Sequence, residues 1–263
     1  MKKLRALKDG MLGKSGGLIS CTHFFIPEDN EVKFKENCET QPADWFYRTE
    51  TITYQYNQYG HRCVDIDNLG EDYILFTGCS HTEGIGLKLE NTYPHLVSQY
   101  YNKPYYNLAV GGSGPYLTMF NLLGFLSKVK HKPSLVIIQW PNFYRYFDIS
   151  DLIHCYRMNF YTPSYRDDYY DYMLKNNIPM RHNKVYRQIA LQHLKNYGIT
   201  NIIENHDSDF KSESEDDILI VKFNGMIIDR ARDLCHGGIL TNQSWANDLI
   251  NAINKNFAHV LKL

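Results

Sequence analysis

The chain has 263 residues, of which 43% are hydrophobic and 22% charged; this excludes a disordered polymer and allows one large domain with a substantial core. Its 28 basic and 29 acidic side chains leave a formal charge of -1, so no global field draws it to nucleic acid or to an anionic membrane. A small neutral or locally recognised ligand suits that balance better than a polyanion.

The first residues, MKKLRALKDGMLGKSGG, are basic but lack the apolar core of a secretory leader, and no apolar run in the chain is long enough to span a bilayer. A cytoplasmic location is therefore expected, with export by a route without a cleaved signal left open. Lys2, Lys3, Arg5, Lys8 and Lys14 read as a solvated tail rather than a nucleic-acid arm. Residues 1–45 show no clear period and are expected to form a loop-rich lead-in, packed over a single domain spanning 46–263. ETITYQYNQYG then alternates like an edge strand and ends in a turn signal.

From there the pattern alternates between strand and helix. YILFTG (73–78) is an apolar strand, followed by a helical stretch through LENTYPHLVSQYY. YYNLAVGG (105–112) is a second strand running into glycines, followed by an apolar helix at YLTMFNLLGFLSKV. SLVIIQW (134–140) is a third, apolar on both faces as buried parallel strands are. ITNIIE (199–204) and DILIVKF (217–223) supply a fourth and a fifth strand. SWANDLINAINKNF is the last helix. The segment 205–217 holds six acids against one lysine and reads as a solvated loop. The order predicts an α/β fold: a three-layer α/β/α sandwich around a mainly parallel five-stranded sheet, with ligands bound beyond the carboxyl ends of the strands.

Four short segments at that edge carry chemistry. Ser80, after the first strand, sits where a strand turns into a helix; its hydroxyl would be exposed and its amide could face a developing oxyanion. The same serine with Glu83 three residues on is also a capping box. The glycines of NLAVGGSG, after the second strand, let backbone approach a ligand or simply form a turn. Asn142, after the third strand, could donate to an oxyanion or close a turn. Near the C-terminus, Asp233 and His236 are spaced so that a carboxylate can orient an imidazole acting as base. His81, beside Ser80, is expected to face elsewhere. Cys79 is a second potential nucleophile, although its side chain should point away from that of Ser80. The six cysteines contain no C-x-x-C pair, so no zinc knuckle or dithiol motif is offered, and reduced thiols are expected.

The order of these segments resembles that of the SGNH hydrolase superfamily, whose GDSL-type members carry a Gly-Asp-Ser-x-Thr-x-Gly block similar to GCSHTEG at 78–84. The resemblance runs over residues 72–255. It implies a flavodoxin-like sheet, Ser80 as nucleophile with its amide in the oxyanion hole, Gly112 as the oxyanion glycine with Gly111 as the alternative, and Asn142 as the oxyanion asparagine. It further implies Asp233 and His236 as acid and base, and neither a metal nor an organic cofactor. Asn57, Gly60 and Arg62 resemble an Asn-x-x-Gly-x-Arg segment that precedes the serine block in similar proteins. Cys79, Trp140, Phe143 and Gly237 depart from the family's usual Asp, Gly, Asp and Pro; those at 140 and 143 reshape the pocket. Trp140, Phe143 and Tyr144 are accordingly expected at the substrate.

Such a site implies hydrolysis of an ester through an acyl-serine. The substrate class expected is a short acyl or acetyl group on a carbohydrate or another small molecule. The aromatic-rich segment 143–198 offers rings to a sugar, or packs on the domain. An O-acetyltransferase, a lipase or thioesterase, and a non-catalytic binding protein of the same fold remain as alternatives.

Overall fold

The computed structural model describes residues 5–8, 11–14, 22–142, 145–148, 156–159, 172, 175–206, 218–223 and 227–261. Its centre is a five-stranded, all-parallel sheet. In chain order the strands are β5 (Ile74–Thr77), β6 (Tyr105–Asn107), β7 (Leu135–Trp140), β10 (Ile202–His206) and β11 (Ile218–Ile220). They lie in the order β11-β10-β7-β5-β6. The five expected strands are all present, and the order is the flavodoxin-like one, in which the chain reverses its direction of travel across the sheet between β5 and β7.

Strand alternation builds the layers. Ile74 and Phe76 of β5, with Leu135 and Ile137 of β7, point to one face, where they pack on α3 (Tyr93–Tyr101) and α6 (Ile239–Asn256) through Tyr93, Val97, Trp245 and Leu249. Leu75, Val136 and Ile138 point to the other face and meet α4 (Pro115–Leu126) and α5 (Ile178–Asn196) through Leu122, Phe125, Ala190, Leu191 and Leu194. Both sheet faces are thus covered, as a parallel sheet demands. Each such fully buried aliphatic or aromatic side chain contributes about 1.5–3 kcal/mol of transfer free energy.

Helix α5 occupies the last third of the segment read as an aromatic insert. It is the crossover that joins parallel strands β7 and β10, which a short loop could not do. Before residue 175 that segment is described only at β8 (Arg145–Asp148), its antiparallel partner β9 (Tyr156–Asn159) and Tyr172. Most of the acidic segment, from 207 to 217, lies outside the described residues.

The N-terminal lead-in is more regular than its sequence suggested. It contains an antiparallel hairpin of β1 (Arg5–Lys8) and β2 (Met11–Lys14), and a ten-residue helix, α1 (Glu31–Thr40), capped by the Asn30 carboxamide, which accepts from the Lys33 N–H. The expected edge strand at 50–60 shrinks to β4 (Tyr54–Gln55), paired with β3 (Thr22–His23). Ile26, Tyr47, Ile52, Tyr54 and Tyr56 from this region form a separate apolar cluster with Ile85, Leu87 and Ala231. The cluster joins the N-terminal segment to the loops at the carboxyl edge of the sheet.

Candidate active site

Ser80 opens a four-residue helix, α2 (Ser80–Glu83), three positions after β5 ends. Cys79, extended at φ -112° and ψ -153°, is the N-cap and makes no side-chain capping bond. Ser80 is therefore the first helical residue, and the capping-box reading does not hold. Glu83 instead accepts from the Tyr56 hydroxyl at 2.7 Å and from the Gly111 N–H, with the Lys14 ammonium 3.6 Å away. The cysteine is fully buried, whereas Ser80 retains 4% exposure.

The turn that presents Ser80 is bound on every side. The Thr82 hydroxyl donates to Gln139 Oε1 at 2.5 Å and accepts from the Tyr93 hydroxyl at 2.9 Å. Asn107 Nδ2 donates to the Thr82 carbonyl at 2.7 Å, and the Ser113 hydroxyl to the Gly78 carbonyl at 2.8 Å. Arg62, buried to 1% exposure, donates to the carbonyls of Thr53, Gly84 and Leu87 at 2.6–2.9 Å, the middle one at the end of α2. Asn57 holds the turn leading to Arg62, accepting from the Tyr59 and His61 N–H groups. Asn57 and Arg62 are thus framework, and they fix the serine turn from behind.

Asp233 and His236 lie side by side, with His236 Nδ1 2.5 Å from Asp233 Oδ2. The other carboxylate oxygen accepts from the Cys235 and His236 backbone N–H groups at 3.1 Å each. This requires a tight loop: Leu234 takes φ 56°, a left-handed value rare outside glycine, and Arg230 pairs with Gly237 across it. Asp229 fixes the loop's far end by accepting from the Leu240 and Thr241 N–H groups at the start of α6. Burial pushes the Asp233 carboxyl up, but the His236 ring and the two N–H donors outweigh it and leave it below the ordinary carboxylate value. Asp233 is only 1% exposed, while the His236 side chain keeps 16%, so the imidazole is reachable. Among the described residues no hydrogen bond occupies His236 Nε2.

His81 does not face away. Its ring meets that of His236 edge to face at 5.0 Å and that of Trp245 at 5.5 Å, so the imidazole of the last loop lies over the element that carries Ser80. Burial, and then the charges of His236 and Arg145, lower the His81 pKa to about 3. It is a neutral ring at ordinary pH and a weak base. Its packing role had no signal in the sequence, because the partner is 155 positions away.

In the loop after β6, Gly112 stands at φ 76°, a conformation that favours glycine. No hydrogen bond among the described residues occupies its N–H. The Gly111 N–H is taken by Glu83, which removes it as an alternative oxyanion donor. Asn142 follows β7, is half-buried, and accepts from the Arg145 N–H through its carbonyl at 3.0 Å. Ser80 and Asn142 thus flank the point between β5 and β7 where the topology reverses, the usual ligand crevice of this sheet order.

Trp140 corrects the expectation that it would touch substrate. It is fully buried, shares its sheet face with Val136 and Ile138, and donates its indole N–H to Glu204 Oε1 at 2.6 Å. Arg187 completes that buried cluster with a two-pronged ion pair to Glu204. Phe143 and Tyr144 lie outside the described residues. No group of three or more His, Cys, Asp or Glu suited to a metal occurs among the described residues, and none of the described helices is long and apolar enough to cross a membrane.

No protein-family model and no curated protein matches the sequence. Solved structures are similar in fold at low identity. An acetyl xylan esterase from the rumen bacterium Butyrivibrio proteoclasticus is 13% identical, with a TM-score of 0.49 over 72% of this chain and 65% of that one. A lipolytic protein of the G-D-S-L family from Desulfitobacterium hafniense is 12% identical, with a TM-score of 0.46 over 68% of this chain and 98% of that one. A psychrotrophic esterase from Pseudoalteromonas sp. is 12% identical, with a TM-score of 0.47 over 70% of this chain and 97% of that one.

Proposed function

We propose that the protein is a serine hydrolase that cleaves carboxylic esters by two-step acyl transfer. The observation that carries this reading is the buried Asp233 carboxylate 2.5 Å from His236 Nδ1, in a loop packed against the short helix that Ser80 opens. A carboxylate on Nδ1 holds the proton there, so Nε2 is the basic nitrogen. In the first step His236 Nε2 takes the Ser80 hydroxyl proton as the oxygen attacks the ester carbonyl. The negative charge on the carbonyl oxygen is held by the amides of Ser80 and Gly112 and the Asn142 side chain. His236 then gives its proton to the departing alcohol, leaving an acyl-serine. In the second step His236 deprotonates a water, which attacks the acyl carbon and releases the acid and free Ser80.

The substrate class we favour is a short acyl ester of a carbohydrate. Its support is the run Phe143, Tyr144, Tyr146 and Phe147 directly after Asn142 in sequence, rings that offer an apolar face and, in tyrosine, a hydroxyl to one partner. The test of the reading is Ser80→Ala assayed on p-nitrophenyl acetate, with melting temperature in parallel. Turnover is expected to vanish while the melting temperature stays within a few degrees. Undiminished turnover would overturn the assignment.

A further inference from the structure

Two halves of the site, the Ser80 helix and the Asp233–His236 loop, are 153 residues apart in sequence and share no strand. They are joined by a closed ring of buried hydrogen bonds that passes through the N-terminal segment. The Arg232 backbone N–H, directly before Asp233, donates to the Gly86 carbonyl at 3.1 Å. The Gly86 N–H donates to the Tyr54 hydroxyl oxygen at 2.8 Å, and that hydroxyl donates to Asp29 Oδ2 at 2.6 Å. Arg232 closes the ring by donating from Nη2 to the same oxygen at 2.7 Å and from Nε to both carboxylate oxygens at 3.0–3.2 Å.

Each side of the ring connects to the chemistry by one short step. The Gly84 and Ile85 N–H groups both donate to the Ser80 carbonyl, at 3.0 and 3.2 Å, so Gly86 moves with the serine. A side chain at Gly86 would put its Cβ 2.8 Å from the Ala231 Cβ and 3.2 Å from Asp233 Oδ1, so the two loops touch at this residue. The ring's own members are rigidly held. Asp29, Tyr54 and Arg232 are 1%, 0% and 3% exposed. The Arg232 guanidinium lies over the rings of Phe25 and Phe34, and that of Arg62 over the ring of Tyr54. Burial, reinforced by the Asp29 carboxylate, holds the Tyr54 hydroxyl protonated far above neutral pH.

We propose that Asp29 and Tyr54 are positioning residues for the acyl-transfer reaction: through Arg232 and Gly86 they set the distance between the Ser80 hydroxyl and the His236 imidazole. The inference rests on the esterase reading. A buried ion pair is weak support for stability alone, since a well-packed apolar pair of similar volume often serves as well. Holding reacting groups in place is a different matter, because a displacement of about 1 Å costs roughly a hundredfold in rate. The N-terminal segment then belongs to the site's frame rather than to a lead-in.

Tyr54→Phe keeps the ring and removes only the bridging hydroxyl; Asp29→Asn keeps the shape and removes the charge. Both are measured against the parent for kcat and KM on p-nitrophenyl acetate and for the rate of Ser80 inactivation by a fluorophosphonate, well below the melting temperature. Each folded variant is expected to lose about tenfold or more in kcat and in inactivation rate, with KM within about twofold. A purely structural role would lower the melting temperature and leave those rates at the parent's value; parental rates in either folded variant overturn the proposal. A parent that does not react with the probe at all would instead sink the esterase reading, and the positioning role with it.

Discussion

The imidazoles of His81 and His236 meet edge to face, 5.0 Å between centroids and 69° between planes. One ring is oriented by a carboxylate and reachable from solvent. The other is half-buried and neutral, with Nδ1 unpartnered among the described residues. The pair gives the structure an acid-sensitive contact separate from the ordinary carboxylates. The folded His81 pKa, lowered to about 3 by burial and by the charges of His236 and Arg145, lies below the unfolded value of about 6.5. Below about pH 6.5 the unfolded chain binds a proton that the folded one refuses, so stability falls as pH drops toward 3. His81→Phe keeps the ring packing and removes this contribution. In urea unfolding at pH 7 and pH 4.5, the variant should lose about 1–3 kcal/mol less between the two than the parent. Equal losses would show that His81 is protonated in the folded state.

Asp233→Asn leaves the loop's shape but replaces the acceptor on His236 Nδ1 with a group that can present the wrong dipole. The imidazole then takes the tautomer that blocks Nε2 as a base. A fall in kcat of about 10²–10⁴ is expected with KM little changed, read by steady-state kinetics on a p-nitrophenyl ester. Parental kcat would show that the pair is structural only.

The proposed oxyanion donors separate by type. Removing the Asn142 carboxamide in Asn142→Ala is expected to lower kcat about 10²–10³. Gly112→Ala keeps its N–H but must carry a side chain at φ 76°, a strain of about 1–2 kcal/mol. It should lower both the melting temperature and kcat, and the comparison with Asn142→Ala distinguishes lost donation from a shifted backbone.

Arg62 is expected to matter for folding more than for chemistry. Its guanidinium fork serves carbonyls on three separate segments, which the single ammonium of a lysine cannot reproduce. Arg62→Lys should cost about 3 kcal/mol, roughly 6–12 °C in melting temperature, measured by calorimetry. A stability matching the parent's would show that water replaces the missing donors.

What could be read from the sequence followed from local chemistry. Four of the five sheet strands stand out by their isoleucine or valine residues and the fifth, β6, by its tyrosines running into glycines, and their αβ alternation gives the parallel sheet; the order of strands across it is a matter of long-range packing. Asp233 and His236 were legible from their spacing, since one tight loop brings the two together. Helix α5 was not, because Asn183 and Arg187 sit on its buried face beside Ala190, Leu191 and Leu194, which erases the apolar stripe. Helix α1 buries only Asn37 and carries no stripe at all. The framework charges were hidden for a related reason: Asp29, Arg62 and Arg232 look like surface residues until the partner that neutralises or bonds each one is placed. Trp140 is the instructive miss. Its distance from Val136 and Ile138 is an even number of residues along β7, and that alternation alone puts it on the core face rather than in the pocket.

The proposed acyl transfer requires Ser80 to be an activated nucleophile. The most direct measurement is reaction of the intact protein with a fluorophosphonate probe, followed by mass-spectrometric mapping of the labelled residue. One label per chain is expected, on Ser80, that disappears in Ser80→Ala and slows strongly in Asp233→Asn. Absence of label on the folded parent, or label on another residue with Ser80 untouched, would contradict it.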